Sequence, residues 1–419
     1  MFDSIFSDYP YIASTLELIL SVLLELAPIW VPVVLFIVFI NTWLPYIRQK
    51  FLAQTDTVLL EIRLPKEITK SPKAMELVLM SLQQTGALSY MKEAYWDGKV
   101  RPWFSLEIAS FEGDIHFFIW TWKKFRRNLE AAIYAQYPTV EIYEVPDYTT
   151  MVEHNTDVWN MWGGHFILSK PDPYPIMTYI DYGLDKDPKE EYKIDPMASV
   201  IEYLGSLGKG EYAWMQILVM AHKPLKWKEG YFVNKKRDWK DEAKEIIAKI
   251  KDTTKDKDGN QDPQKLTPAD KNTIESIERS VSKFPFETMI RGFYIARNEN
   301  FDGSAIGGLI GSFRQYSSQS LNGFKPGWFT DFNQRNIFDH EFLDPTRKRR
   351  NKMERTMLDA YKRRSFFHEP HRYLGDDKPY ILTTEELATI FHFPGDVVTT
   401  PTFKRVLSKK VEAPSDLPV

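Results

Sequence analysis

Cysteine is absent from this sequence of 419 residues. Its absence excludes disulfide bonds, thiolate chemistry, and zinc or iron–sulfur centres held by cysteine. A marked excess of one charge is also absent, because the formal net charge is −3. The overall charge balance therefore does not indicate a nucleic-acid-binding protein, and any such site has to be a local patch. With 26% charged residues the composition is that of a globular protein, and the length fits about two to three domains.

Positive charge is missing from the amino-terminal region, where the first basic residue is Arg48. A cleaved signal peptide carries positive charge before its apolar run, so this region is not typical of one. The apolar run over 18–44 is interrupted by Glu25 and a few mildly polar residues. About 20 such residues span a bilayer, and the run predicts one transmembrane helix within a membrane anchor over 1–50. The alternative is a hairpin buried in a soluble core.

The charges that flank this run predict its orientation. Acidic residues precede it, whereas Arg48 and Lys50 follow it. The positive-inside rule then predicts a single-pass protein of the inner (cytoplasmic) membrane, with its N-terminus outside and the bulk of the chain in the cytoplasm. Trp43, Arg48 and Lys50 are predicted to mark the membrane border. Glu25 favours a homo-oligomer, because a carboxylate at that depth usually pairs, takes up a proton or faces another protein segment.

Residues 55–150 show patterns typical of a β-α-β-β-α-β unit. Apolar alternation predicts the strands, and helical periodicity with boundary signals such as Ser71 and Pro72 predicts the helices. The strands are predicted at 57–65, 103–111, 115–122 and 140–145, and the helices at 71–86 and 123–138. This order is that of the split βαβ, or ferredoxin-like, sandwich, in which four antiparallel strands carry two helices on one face.

The same order recurs less regularly over 151–335. The strands are predicted at 165–169, 212–222, 287–297 and 321–329, and the helices at 195–207 and 302–316. An insertion over 223–286 separates the two central strands, and its two charged helices, 238–251 and 267–284, are expected to form a projecting antiparallel hairpin. The predicted fold class is therefore α+β: a single transmembrane helix, two ferredoxin-like domains, and a basic helical segment with a C-terminal tail over 336–419.

The motif that binds nucleotide phosphates is missing from the sequence. That motif, G-x-x-x-x-G-K-[ST], needs a lysine and a hydroxyl to hold phosphate and magnesium. The two Gly-Lys pairs, at 98–99 and 208–209, lack both the hydroxyl residue and the leading glycine. No Ser-His-Asp or paired-carboxylate constellation stands out either. The sequence therefore predicts a protein that is not an enzyme and that holds no cofactor or metal.

The segment "HEPH" over 368–371 brings potential metal ligands together. Pro370 prevents the helical geometry in which two histidines of an H-E-x-x-H motif share one metal ion, so a polar surface turn is the favoured interpretation. The alternative is an enzyme whose site forms only in the fold, with His368 and His371 as its histidines.

A run of basic residues is the main local charge feature. "TRKRRNKMER" over 346–355 is followed by "KRR" over 362–364. On a helix these residues form a basic face, which can bind phosphate backbones or anionic lipid headgroups. The residues predicted to contact DNA, lipid or a protein partner are Arg347, Lys348, Arg349, Arg350, Lys352 and Arg355. The alternative is a solvated helix whose charge is balanced by nearby acidic residues.

The closing segment "PYILTTEELATIFHFPG" predicts a short strand followed by a helix. Residues 380–382 are the strand. Thr383 is the expected N-cap, and Glu386 completes a capping box three residues later. Leu387, Ile390 and Phe391 are expected to dock the helix, and an extended polar tail follows.

Three stretches of the sequence resemble a known family. They are "VLLEIRLPKEITKSPKAMELVLMSLQ" (58–83), "FSLEIASFEGDIHFFIWTWKKFRRNLEAAIYAQYPTVEIYEV" (104–145) and the closing segment with its tail (380–418). The first two are similar to the amino-terminal, non-motor domain of membrane-anchored, type IV secretion-like (HerA/FtsK-like) DNA-translocating ATPases of candidate-phyla (Patescibacteria) bacteria. The third is similar to the stretch that leads into their ATPase domain. The nucleotide-binding loop of that family is missing here.

The resemblance implies a membrane-anchored, non-enzymatic scaffold or adaptor of a conjugation-type translocation system. Its partners would be the lipid bilayer, further copies of the chain, and a translocation ATPase supplied in trans, with nucleic acid as a further candidate. Two alternatives stay open: a self-assembling structural protein of the cell envelope, and an enzyme whose site is not visible in the sequence.

Overall fold

In a computed structural model of the chain, the described residues are 10–65, 70–84, 91–185, 194–223, 238–252, 266–330 and 347–395. They form two compact units: residues 10–54 with 91–100 are the anchor unit, and the other described residues are the sheet unit. Most of the polar loop between the two insertion helices and the predicted C-terminal tail lie outside the described residues.

The described helices, in chain order, are α1 Pro10–Glu25, α2 Ala27–Ala53, α3 Pro72–Ser81, α4 Met91–Tyr95, α5 Arg126–Gln136, α6 Ala198–Gly205, α7 Trp239–Asp252, α8 Pro268–Val281, α9 Gly303–Gly311, α10 Lys348–Lys362 and α11 Thr384–Ile390. The strands are β1 Thr57–Arg63, β2 Phe104–Phe111, β3 Asp114–Trp122, β4 Glu141–Glu144, β5 Trp159–Leu168, β6 Glu211–Ala221, β7 Pro285–Arg297, β8 Phe324–Phe329 and β9 Tyr380–Thr383.

The predicted transmembrane helix over 18–44 is divided into two helices, which meet at Leu26. Pro28 explains the break, because proline has no N–H to donate to residue 24 and its ring crowds the preceding turn. Within the described residues, α2 is the helix that is long and apolar enough to cross a membrane, and no part of its apolar window is buried. Glu25 is the last residue of α1 and therefore lies outside α2.

One antiparallel sheet of nine strands organises the sheet unit. Its order is β4-β1-β3-β2-β6-β7-β5-β8, and β9 pairs with one end of β7. The strands β2 and β6 join the two halves of the sheet and pair from Phe104 opposite Val219 to Phe111 opposite Tyr212. Glu112 and Gly113, both with positive φ, make the two-residue turn of the β2–β3 hairpin.

The two faces of the sheet carry different helices. The cross-strand partners Glu107, Gln216, Arg291 and His165 share one face, and α10 packs there with Tyr361 against Trp214. On the opposite face lie α3, α5, α6, α9 and α11, of which α3 contacts both α5 and α11. The sheet is therefore covered on both sides, and α10 is positioned by the face that carries the polar row.

The insertion between β6 and β7 forms the predicted antiparallel pair of helices. Ala243 and Ile246 of α7 pack on Ile277 of α8. The pair does not project freely, because Arg279 of α8 forms ion pairs of 3.0 Å with both Asp181 and Glu385.

Candidate functional site

The first half of α10 carries the predicted basic surface. Arg347, Lys348, Arg349, Lys352 and Arg355 are exposed. Lys348, Lys352 and Arg355 are spaced four and three residues apart and therefore share one side of the helix. Arg350 differs, because it is half-buried and its Nε donates to Glu354 Oε1 at 2.9 Å. Five of the six residues predicted for partner contact are thus exposed at the start of α10, and three of them share one side of the helix.

The position of these cations is unfavourable for the helix itself. The amino-terminal end of a helix carries a partial positive charge, and each cation placed there costs ~0.3–1 kcal/mol. The first turn of α10 contains no acidic residue that would offset this cost. A negatively charged partner would relieve the repulsion, so this end of α10 is suited to an anion.

The other side of α10 is fixed to the sheet. Met357, Leu358 and Tyr361 are buried. Arg364, two residues beyond the helix, is also buried, and its Nε and Nη2 donate to the two carboxylate oxygens of Glu107 at 3.0 and 3.1 Å. It also donates to Asp147. The basic surface is therefore presented by a helix with a rigid, ion-paired base.

Glu107 is the centre of this buried network. Its carboxylate also accepts from Ser105 Oγ at 2.6 Å, Gln216 Nε2 at 2.9 Å and the Tyr148 hydroxyl at 2.8 Å. Burial opposes the charge of Arg364, but Glu107 and Asp147 more than offset it and hold the pKa of Arg364 well above its usual value. The sequence pattern does not indicate this role, because it places Arg364 in a run of basic residues on a helix face.

Arg291 lies next to the network and has a different environment. It is fully buried, its Nε donates to Gln216 Oε1 at 2.6 Å, and its Nη2 donates to the Ser365 carbonyl at 3.2 Å. Its Nη1 has no hydrogen-bond partner among the described residues. Burial lowers the pKa of Arg291 to about 9. His165, the residue on β5 that pairs with Arg291, donates from Nδ1 to Asp377 Oδ2 at 3.0 Å. Burial lowers the pKa of His165.

The "HEPH" segment uses its histidines in separate contacts. His371 Nε2 lies 2.6 Å from Asp359 Oδ2. The ring of His368 packs on Trp103, with 5.5 Å between the ring centres. Over the described ranges no group of three or more His, Asp or Glu residues is placed to hold a metal ion.

The closing segment is part of the core. Residues 380–394 are buried, and the predicted capping box is present, with Thr383 N and Oγ1 donating to Glu386 Oε2 at 2.9 and 2.8 Å. Glu386 also accepts from Ile176 N at 3.0 Å, and burial raises its pKa to about 7. The predicted docking residues Leu387, Ile390 and Phe391 are buried.

The residues predicted to mark the membrane border lie on α2. Trp43 is half-buried and its Nε1 donates to the carbonyl of Tyr95 at 2.9 Å. Arg48 and Lys50 belong to the last turns of the helix, which continues to Ala53. The helix α2 therefore continues beyond its apolar part.

These features define an α+β protein with a large antiparallel sheet and an amino-terminal helix of membrane-spanning length and composition. The model of a family described as "Domain of unknown function (DUF8128)" matches residues 48–405, and the chain belongs to this family. The match begins within α2 and includes all the strands described above. A search of curated proteins found no match.

Proposed function

We propose that the chain is a membrane-anchored, non-enzymatic scaffold of a type IV secretion-like translocation system, and that α10 binds an acidic surface of a separate ATPase. The single observation that carries the proposal is the exposed cationic surface at the start of α10, fixed at its base by the buried Arg364–Glu107 ion pair. The exposed apolar α2 supports anchorage in the inner membrane. The three stretches similar to translocating ATPases, together with the missing nucleotide-binding loop, support a motor in trans.

We also propose that the sheet consists of two ferredoxin-like halves joined edge to edge, with domains over 55–150 and 151–335. The strand order β4-β1-β3-β2 supports the first half. In the first half, the fourth strand along the chain lies beside the first, followed by the third and the second. The order β8-β5-β7-β6 repeats this arrangement and supports the second half. The pairing of β2 with β6 would then be the contact between the two halves.

The test is a pull-down from native membranes in mild detergent, through a C-terminal tag, with mass spectrometry. The variant Lys348→Glu/Lys352→Glu/Arg355→Glu reverses the charge of the basic surface. The matched control Lys244→Glu/Lys249→Glu/Lys271→Glu makes the same change of charge at three exposed lysines of α7 and α8. We expect the unchanged chain and the control to recover an ATPase with an intact nucleotide-binding loop. We expect the α10 variant to recover at least about tenfold less, because charge reversal places like charges opposite each other across the interface, which costs several kcal/mol.

Other results would contradict the ATPase contact. Recovery that nuclease treatment abolishes would assign the basic surface to nucleic acid, and recovery that depends on anionic lipid would assign it to the membrane. Recovery of the chain alone, as a large homo-oligomer, would replace the scaffold with the self-assembling structural protein.

A further inference from the structure

The anchor unit carries a cluster of aromatic side chains from two distant parts of the sequence. Trp43 and Tyr46 of α2 lie beside Tyr95 and Trp96, which end α4 and begin the turn after it. The ring centres of Trp43 and Trp96 are 5.6 Å apart, and those of Trp43 and Tyr46 are 6.1 Å apart. Trp96 is 67% exposed, Tyr46 60% and Tyr95 49%. We call these four residues the aromatic cluster.

Residues 91–98 are held on α2 by specific backbone contacts. The indole N–H of Trp43 donates to the carbonyl of Tyr95. Gly98 has a φ of +67°, and a Cβ atom at this position would lie 2.4 Å from the carbonyl oxygen of Ile47. Only glycine therefore allows the turn to approach the helix this closely. The exposed rings of Tyr95 and Trp96 are consequently fixed at the level of residues 43–47.

That level is the end of the apolar part of α2. The stretch from Ala27 to Ile47 contains no Asp, Glu, Lys or Arg. At ~1.5 Å per residue it is roughly 31 Å long, which equals the ~30 Å thickness of the hydrocarbon core of a bilayer. Trp43 then lies roughly 24 Å along it by the same rise, and Arg48 and Lys50 follow. The aromatic cluster is thus at the depth of the boundary between the hydrocarbon core and the lipid headgroups.

We propose that residues 91–98 are a second membrane contact, and that Tyr95 and Trp96 insert at the lipid headgroup level beside Trp43 and Tyr46. The inference rests on the membrane anchorage proposed above. Tyrosine and tryptophan suit this depth because an apolar ring and a polar N–H or O–H face lipid and water at once. The exposed Lys92 on α4 supplies a cation for the headgroup phosphates.

The apolar surface continues from α2 into the cluster, which favours lipid over a protein as its occupant. Phe39 stacks on Trp43 with 5.7 Å between ring centres and an angle of 15°. Phe36 and Phe39 are themselves exposed on the surface that a bilayer would cover. The same bilayer can therefore cover both α2 and the aromatic cluster, and no separate protein partner is needed for the cluster.

The absence of cysteine makes a depth measurement direct, because a single introduced cysteine is the only labelling site. The full chain is reconstituted in vesicles of equal parts phosphatidylcholine and phosphatidylglycerol, with a spin label at Trp96→Cys, Phe36→Cys or Tyr134→Cys. Phe36 is in the apolar part of α2, and Tyr134 is an exposed tyrosine of α5. Collisions with oxygen and with a water-soluble nickel chelate report depth. We expect the oxygen-to-nickel ratio at position 96 to be several-fold above that at 134 and below that at 36.

A second pair of variants keeps Trp96 in place. A label at Lys92→Cys is compared with and without Trp96→Ala, and we expect the nickel accessibility at position 92 to rise several-fold when the indole is removed. The second contact is overturned if the label at position 96 is as accessible to nickel as the label at position 134. The anchorage then still holds, provided that the label at position 36 is in lipid. Labels at both 36 and 96 in water overturn the anchorage itself.

Discussion

Arg363 and Arg364 are adjacent in the sequence but have opposite environments. The side chain of Arg363 is 59% exposed and pairs with Asp359 one helical turn away. The side chain of Arg364 is 1% exposed and pairs with Glu107. Sequence reasoning could not separate the two, because Glu107 is 257 positions away from Arg364 and no local pattern encodes such a partner.

Replacing Arg364 is expected to be far more costly than replacing Arg363. Arg364→Met leaves Glu107 as a buried carboxylate without its cation and also removes the partner of the half-buried Asp147. Removal of one partner of a buried pair costs ~3–5 kcal/mol. Arg363→Met is the control and changes the free energy of unfolding by less than about 1 kcal/mol, as for exposed ion pairs. Denaturant unfolding of the detergent-solubilised chain measures both.

The double variant Glu107→Gln/Arg364→Met tests whether the cost comes from the pair. Removing both charges is expected to cost clearly less than the sum of the single changes, because neither charge is then buried alone. Additive costs would show that the two residues act independently and would contradict the network described here.

Some residue roles were predictable because their partners are close in the sequence. Thr383 and Glu386 are three positions apart, and the capping-box rule identified both. Ser71 was identified as an N-cap in the same way, and its Oγ accepts from Lys73 N. Rules of this kind work over one helical turn, which explains why they found helix starts and missed the buried network.

At the scale of elements, periodicity predicted the strands of the first half and the two insertion helices with small errors at the ends. It missed the first residues of β5, which begins at Trp159 and not at 165. Gly163 weakens the strand pattern there. A Cβ atom at Gly163 would lie 2.6 Å from the ring of Phe293 and 2.9 Å from Met357, so tertiary packing of α10 requires the glycine. Local propensity does not contain this requirement.

The docking of α4 on α2 is expected to depend on Gly98. Gly98→Ala adds a Cβ atom against the backbone of Ile47, and backbone atoms cannot move aside as a flexible side chain can. Gly183→Ala is the matched control, because Gly183 also has a positive φ, +71°, but has open space around its missing Cβ. Both changes add backbone strain of ~1–2 kcal/mol. Only Gly98→Ala should also release residues 91–99.

Hydrogen–deuterium exchange of the amide groups over 91–99 distinguishes the two effects. We expect exchange there to accelerate about tenfold or more in Gly98→Ala and to stay unchanged in Gly183→Ala. If exchange over 91–99 were equal in the two variants, Gly98 would be needed only to avoid backbone strain and not to allow the contact with α2.

At the scale of the whole molecule, the sequence indicated two β-α-β-β-α-β units but not that β2 and β6 pair. Edge strands that pair within one chain look like any other edge strands, because the pairing uses backbone groups that every residue has. The α+β class was therefore predictable, whereas the single continuous sheet was not. The family match over 48–405 spans all the strands of this sheet.

Several buried groups make the stability of the whole molecule depend on pH. Burial raises the pKa of Asp172 to about 6 and that of Glu386 to about 7. At pH values between its usual pKa and its raised pKa, such a carboxyl group binds more protons in the folded state than in the unfolded state. The free energy of unfolding then falls as the pH rises through that range.

The histidines partly reinforce this dependence. Burial opposes the charge of His222, but the nearby carboxylates of Glu287 and Asp238 raise its pKa above the usual value. The stability that His222 contributes is present at low pH and is lost as the pH rises through the raised pKa. His165 acts in the opposite sense, because burial lowers its pKa. We therefore expect a net loss of stability as the pH rises from about 5 to about 8.

Glu386→Gln tests one of these contributions. Gln can still accept hydrogen bonds at the helix start but does not titrate, so the slope of unfolding free energy against pH should become shallower by ~1 kcal/mol per pH unit near neutrality. Glu275→Gln, at an exposed position on α8, is the control and should keep the original slope. An unchanged slope in Glu386→Gln would show that this carboxyl does not titrate in the range.

The burial of residues 380–394 has a consequence for the order of events during synthesis. Phe391 and Phe393 pack on Phe117 of the interior strand β3, so this part of the core stays open until nearly the last described residue has left the ribosome. With the membrane anchorage proposed above, α2 has by then long been available to the insertion machinery. We therefore expect the chain to be tethered first and folded second, with the apolar face of its first strands depending on chaperones during the interval.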